Sequence, residues 1–293
     1  MDKGVNEEFS CGLKRGEKKQ FKHNKKNYDK LSEHIGIVPL VMVSPADYNL
    51  ISGGSDERRR FMDVVISHYD KEYLHALIRN NRALAQRNVM LRSINELDPE
   101  MMSLVEHMMA QEAVKVYEGR LRFVEQLIPL FRLLYKEIAG IDEAVNLSYR
   151  SSLSDYSLAE HLAASRYDDR RVGYTTKGVH KDELVMQLNG YPIKKEGSQG
   201  QNKSYLIALK LAQFDFLHRC SGETPLLLLD DIFDKLDSIR VEQIVRLVGG
   251  ERFGQIFITD VNRDHTESIL ESINREYKLF EVVGGGVNLV KER

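Results

Sequence analysis

Pro225-Leu226-Leu227-Leu228-Leu229-Asp230-Asp231 is the stretch that decides the fold. Consecutive leucines closed by two carboxylates read as a buried strand of an α/β sheet. Its acids stand at the carboxyl end, where such sheets bind ligands. Upstream lies Gly197-Ser198-Gln199-Gly200-Gln201-Asn202-Lys203-Ser204, a glycine-rich turn that opens an amphipathic helical run to about Arg219. Downstream come Asp234-Lys235-Leu236-Asp237. A helix N-terminus offers free amides to an anion, and carboxylates beside it suit a hydrated magnesium ion. The pairing points to phosphate chemistry.

Bulk properties bound the rest. The chain has 293 residues, 42% hydrophobic and 29% charged, enough for one large or two ordinary domains with a real core. Net charge is −2, so any nucleic-acid contact must come from local basic patches. Cys11 and Cys220 are the only cysteines, without metal-ligand spacing. They read as reduced thiols of a cytoplasmic protein, with a disulfide as the alternative. No apolar run reaches the length of a membrane span, and no signal peptide is expected.

From the start of the chain, Phe9, Cys11 and Leu13 alternate with polar residues and lead through a lysine-rich turn into Gln20-Phe21-Lys22-His23, a hairpin pattern. Its lysines suit either a protected edge or phosphate-backbone contact. The apolar run 37–43, broken by Pro39, predicts a strand that exits at Ser44-Pro45-Ala46-Asp47. Ser55 with Asp56 and Glu57 predicts a helix start, followed at once by Arg58, Arg59 and Arg60. Three cations there oppose the helix dipole. Either Asp56, Glu57 and Asp63 neutralise them, or they meet an anion or nucleic acid.

Apolar spacing predicts one helix over 61–95, with Arg79, Arg82 and Gln86 on one face, either solvated or touching DNA. Asp98-Pro99-Glu100 opens another helix, which Pro129 should bend or interrupt and Gly140 should end. The methionines along it read as core filler. Residues 56–139 thus form an all-helical unit. Beyond it, the pattern predicts a strand over 145–149 and a short helix over 157–167. Leu184, Met186 and Leu188 alternate into an Asn189-Gly190 hairpin turn. A helix over 241–248, a buried strand over 255–259 ending in Thr259-Asp260, a helix over 266–277 and a hairpin around Gly284-Gly285-Gly286 complete the chain.

Residues 197–204 come close to the phosphate-loop pattern G-x-x-x-x-G-K-[ST], but Asn202 stands at its sixth position and a charged hairpin arm precedes it. The arrangement fits another motif better. Ser198-x-Gly200-Gln201 at a helix start, ahead of an apolar strand ending in two acids, resembles the signature motif of ABC-type ATPases. Leu236-Asp237 matches their D-loop, and Thr259-Asp260 stands where their switch residue falls. At family level, the chain resembles RecF. The resemblance rests on Ser44-Pro45-Ala46-Asp47, the Gly53-Gly54 loop with Arg58-Arg59-Arg60-Phe61-Met62-Asp63, and Arg82-Ala83-Leu84-Ala85-Gln86-Arg87-Asn88. It extends through Gly178-Val179-His180-Lys181-Asp182-Glu183, residues 197–201 and residues 226–237.

The resemblance implies an α/β ABC-type ATPase lobe, a mixed sheet with flanking helices, interrupted by an all-helical lobe. Residues 1–55 and 140–293 would form the first and 56–139 the second. It implies ATP and Mg2+ as cofactors, and a homodimer with ATP sandwiched between subunits. It implies DNA binding at gaps and junctions, in replication, repair, recombination and the SOS response. RecO and RecR would be partners in loading RecA onto single strands coated by SSB. Carried over by motif, Ser198, Gly200 and Gln201 would contact the γ-phosphate held by the opposite subunit, with Thr259 in the switch. Asp230 would serve magnesium through water, and Asp231, where ABC ATPases often have Glu, would activate the hydrolytic water. Asp237 would communicate across the dimer. Arg58, Arg59, Arg60, Arg79 and Arg82 are the DNA-binding candidates.

Two departures qualify the resemblance. His180-Lys181-Asp182-Glu183 stands where the family usually has a His-Arg-Asp-Asp type run; it lacks convincing metal-ligand spacing. No acceptable phosphate loop lies within these residues, whereas in RecF it sits near the N-terminus. The expectation is therefore a truncated RecF-type ATPase that binds ATP poorly and is inactive alone. A non-enzymatic DNA- or partner-binding descendant is the alternative. An SMC-type ATPase is disfavoured by the short helical insert.

Overall fold

The computed structural model describes residues 6–17, 19–93, 98–153, 157–234, 236–261, 267 and 275–293. The helix read over 266–277 falls outside them except at 267 and 275–277, and so does Lys235.

The strand read from the leucine run is β8 (Leu226–Asp230), the centre of a parallel sheet. It lies between β4 (Leu40–Val43) and β9 (Ile256–Thr259), with Leu40 opposite Leu226 and Asp230 opposite Thr259. One face enters the core through Val41, Val43, Leu227 and Leu229, all at most 1% exposed. On the other face Leu40, Met42 and Phe257 remain 37%, 42% and 49% exposed. Parallel sheets are ordinarily covered on both sides, so that open apolar face is unusual.

The buried face packs on α7 (Gln199–Ser221). The run was read as amphipathic, but almost every side chain from Asn202 to Leu217 is buried. A helix apolar on one face and partnered on several sides needs no solvent stripe. It is enclosed by β4, by α2 (Ser55–Tyr69), by α4 (Pro99–Ala139) and, across its N-terminal turn, by α8 (Ser238–Val248). Phe216 meets Phe123 of α4 edge-on at 4.9 Å, and Tyr205 packs against Phe131 at 4.6 Å. Truncating such a buried ring costs about 3–5 kcal/mol.

The helical region differs from its sequence reading in three ways. The single helix read over 61–95 is two, α2 and α3 (Lys71–Arg92), because Asp70 turns the backbone out to φ −118° and caps α3 by accepting the Tyr73 N–H at 2.8 Å. Asp98 caps α4 as its sequence suggests, accepting the N–H groups of Glu100 and Met101 at 2.9 and 3.1 Å. Pro129, however, does not interrupt α4, which continues to the left-handed Gly140. One lost backbone bond is outweighed by buried Leu127, Leu130, Phe131 and Leu134 on either side of it. Helix α2 also begins at Ser55 itself, so Gly54 and not Ser55 is its cap.

The remaining elements are local, among them the one-turn helices α1 (Asn49–Ser52) and α6 (Ile193–Glu196). Strands β1 (Phe9–Gly12), β2 (Gln20–His23) and β3 (Lys26–Asn27) form a small antiparallel sheet. Strand β5 (Val145–Arg150) pairs with β6 (Glu183–Leu188), which turns through left-handed Asn189 and Gly190 into β7 (Tyr191–Pro192). Helix α5 (Leu158–Val172) is longer than the short helix read there, and β10 (Lys278–Val283) with β11 (Gly286–Glu292) makes the last hairpin. Among the described residues, no helix is long and apolar enough to cross a membrane.

Candidate nucleotide site

The carboxyl edge of the parallel sheet gathers the acids. Asp230 ends β8 and accepts a hydrogen bond from the Thr259 hydroxyl at the end of β9. Asp231 follows with φ +49°, a left-handed conformation that Asp tolerates better than most residues. Its backbone N–H still donates to the Thr259 carbonyl at 3.1 Å, one residue beyond the last paired position of β8. The Asp231 carboxylate is half-buried and makes no hydrogen bond or ion pair among the described residues. A partly exposed acid without a cation beside it keeps its capacity for a ligand.

The second component is the start of α7. Ser198 caps it, its hydroxyl accepting the Gln201 N–H at 3.2 Å, while the Gln201 side chain accepts the Ser198 N–H at 2.9 Å. This reciprocal box needs Ser and Gln three positions apart, which is why the start is legible in sequence. The Gln201 amide also donates to Glu143 at 2.5 Å, and Tyr135 of α4 donates to the other oxygen of Glu143. Nothing local in the sequence signals that contact.

Gly200 is pressed by α8. A Cβ there would stand 2.4 Å from Nη1 of Arg240. Arg240 in turn pairs with Asp237 at 3.1 Å, and Asp237 caps α8 by accepting the Arg240 N–H at 2.9 Å. The Lys203 ammonium donates to the Asp234 carbonyl, so the start of α7 touches both the loop after β8 and, through Gly200, α8. Ser198, Gly200, Gln201 and Asp237 thus form one cluster, and Asp230, Asp231 and Thr259 a second. Among the described residues no group of three or more His, Cys, Asp or Glu could cage a metal. One or two carboxylates with open surroundings instead suit magnesium, which keeps most of its waters.

The run His180-Lys181-Asp182-Glu183 is dispersed. The His180 ring is bonded to the Thr175 carbonyl at 2.9 Å, Asp182 to Arg120 at 2.9 Å, and Glu183 to Arg58 at 2.7 Å. The arginine candidates divide likewise. Arg58 is committed to Glu183 and to the carbonyls of Leu50 and Gly53, not to the neighbouring acids named from sequence. Arg59 donates to the Asp182 carbonyl at 2.8 Å, and Arg79 forms a two-bond pair with Glu112. Arg60 and Arg82 are exposed and make no hydrogen bond or ion pair among the described residues.

No protein-family model matches the chain. The DNA replication and repair protein RecF of Phocaeicola vulgatus is 61% identical over 292 residues, 99% of this chain and 79% of that protein. RecF of Bacteroides fragilis is 58% identical over 290 residues, 99% of this chain and 78% of that protein. A solved structure of the recombination mediator protein RecF with ATP, in the RecFOR pathway, superposes with a TM-score of 0.83 at 25% identity, covering 97% of this chain and 76% of that one. At that identity, and across so much of its length, the chain belongs to the RecF family of DNA replication and repair proteins.

Proposed function

We propose that this chain works in DNA repair as half of a composite ATP site closed between two subunits, and that the closed pair binds DNA at gaps or junctions. In this reading residues 1–55 and 140–293 form the ATPase lobe and 56–139 the helical lobe. The observation that carries it is the unpaired Asp231 carboxylate beside Asp230 at the carboxyl edge of a parallel sheet, in a chain whose Ser198-capped α7 offers amides to an anion.

Asp230, steadied by Thr259, would hold magnesium through water, and Asp231 would take the proton of the attacking water. Bound Mg-ATP supplies a phosphoanhydride whose cleavage releases the closed state. The Ser198 hydroxyl, the Gly200 backbone and Gln201 would face the γ-phosphate across the subunit boundary. Asp237, tied to Arg240 against Gly200, would report that contact to the loop after β8. Arg60 and Arg82 are the arginines best able to meet phosphates of DNA, since Arg58 and Arg79 already hold carboxylates. RecO- and RecR-type proteins are the proposed partners in placing RecA on SSB-coated strands, in the cytoplasm.

The test is ATP-dependent association in magnesium, read by sedimentation, of this chain with itself and with RecF of Phocaeicola vulgatus. A complex that forms with ATP and is lost in Ser198→Arg supports the reading. Absence of any ATP-dependent complex in both mixtures sinks it. A complex that forms and binds DNA but never hydrolyses ATP returns the chain to a non-enzymatic binding role.

A further inference from the structure

A cavity of about 620 Å³ lies where the 34–38 segment, α2, α3 and the turn at Val179–Lys181 meet. It shares no lining residue with the carboxylates of β8 or the start of α7. Val38, Val64, Leu74 and Leu77 give it apolar walls, and Arg59 and Arg60 give it cations. That mixture, at that size, is typical of a small-molecule site.

Its charges are not balanced from within. Arg120, which also lines it, is matched by Asp63 and Asp182. Asp56 is the one lining carboxylate left to face Arg59, and Arg60 has no partner among the described residues. Both arginines sit early in α2, whose cap is Gly54 and offers no side-chain oxygen. Burial, and after it the like charge of Arg120, weakens the hold of Arg59 on its proton, a cost that an anion would relieve.

One more polar group lacks a partner. His180 lines the cavity, and its Nε2 must donate to the Thr175 carbonyl at 2.9 Å, since a carbonyl only accepts. Nδ1 is therefore an acceptor, buried against Gly178 and closed to the cavity, so it is not among the groups a ligand would meet. A ligand with an anionic group and a flat or apolar body answers both the cations and the apolar walls.

We propose that this cavity binds a nucleoside monophosphate unit, its phosphate against Arg60 and Arg59 and its body along Val38, Val64 and Leu77. The same unit could be a free nucleotide or the phosphorylated terminus of a DNA strand. The experiment titrates the intact chain, by calorimetry, with dAMP, with inorganic phosphate, and with a short single strand bearing either a phosphate or a hydroxyl at its terminus.

Saturable dAMP binding, stronger than that of phosphate and weakened about ten-fold by Arg60→Gln, is the expected result. Leu77→Trp, which fills the cavity, should abolish it. A phosphorylated strand that competes with dAMP while its hydroxyl form does not identifies a strand terminus as the ligand; dAMP binding without such competition identifies a free nucleotide. No saturable binding by dAMP or the phosphorylated strand overturns the proposal, as does binding that Arg60→Gln leaves unchanged. Arg60 is exposed, so that variant folds even if Leu77→Trp does not.

Discussion

Two regions of the molecule handle charge in opposite ways. Where α2, α3 and α4 meet α5 and the segment before β6, buried arginines are saturated. Arg87, 0% exposed, donates to Asp169 at 2.6 Å, Thr175 at 2.9 Å, Glu106 at 3.1 Å and the Leu162 carbonyl at 3.0 Å. Arg120 grips Asp63 with two bonds and Asp182 with a third, and Tyr73 and Tyr149 donate to the same carboxylates. At the carboxyl edge of the parallel sheet the acids are half-open, and Asp231 faces no cation among the described residues. Desolvated charges must be matched inside the protein. Charges meant for a ligand are left for that ligand to match.

The contrast predicts where substitution hurts. Arg120→Met strands two carboxylates and should cost about 3–5 kcal/mol in urea unfolding, whereas Arg60→Met should stay within about 0.5 kcal/mol. Equal losses would erase the distinction between the regions. Next comes Asp231, where a left-handed backbone penalises branched residues. Asp231→Val should cost about 1–2 kcal/mol and Asp231→Asn almost nothing, while both should lose any ATP hydrolysis. A large loss of stability in Asp231→Asn would move that acid to the structural side.

His180 sharpens the comparison through pH. Burial lowers its pKa from the ordinary 6.5, and the charges of Lys181 and Arg59 add to this, against the Thr175 carbonyl. Above 6.5 the folded and unfolded forms are both neutral. Below it the unfolded chain takes a proton that the folded chain refuses, so stability is lost as pH is lowered, by no more than about 1.4 kcal/mol per unit. His180→Gln should flatten that slope, and an unchanged slope would assign it to other groups. Asp237→Ala, which removes the α8 cap, should cost a modest ~1 kcal/mol. A larger loss would mean that the Arg240 contact with Gly200 carries part of the fold.

What could be read in the sequence was local. The box at Ser198 and Gln201, the cap at Asp98, the stop at Gly140 and the Asn189-Gly190 turn each depend on residues a few positions apart. Asp70 also caps locally, but apolar spacing continued across it and hid the break. The partners of the arginines were beyond reach, since Arg58 finds Glu183 across 125 positions and Arg79 finds Glu112 across 33. The same holds for Glu143 under Gln201, 58 positions away. The box that starts α7 was legible; the Glu143 that steadies it was not.

The pairing of β4 with β8 also governs the order in which the molecule can form. Leu40 meets Leu226 only after nearly the whole helical region has been threaded between them. Closing so long a loop is entropically slow, while α3 and α4 are joined by a short connection and can associate early. The sheet edge bearing Asp230 and Asp231 is therefore expected to form after the α3–α4 pair, and earlier amide protection in β8 than in α3 during refolding would refute that order.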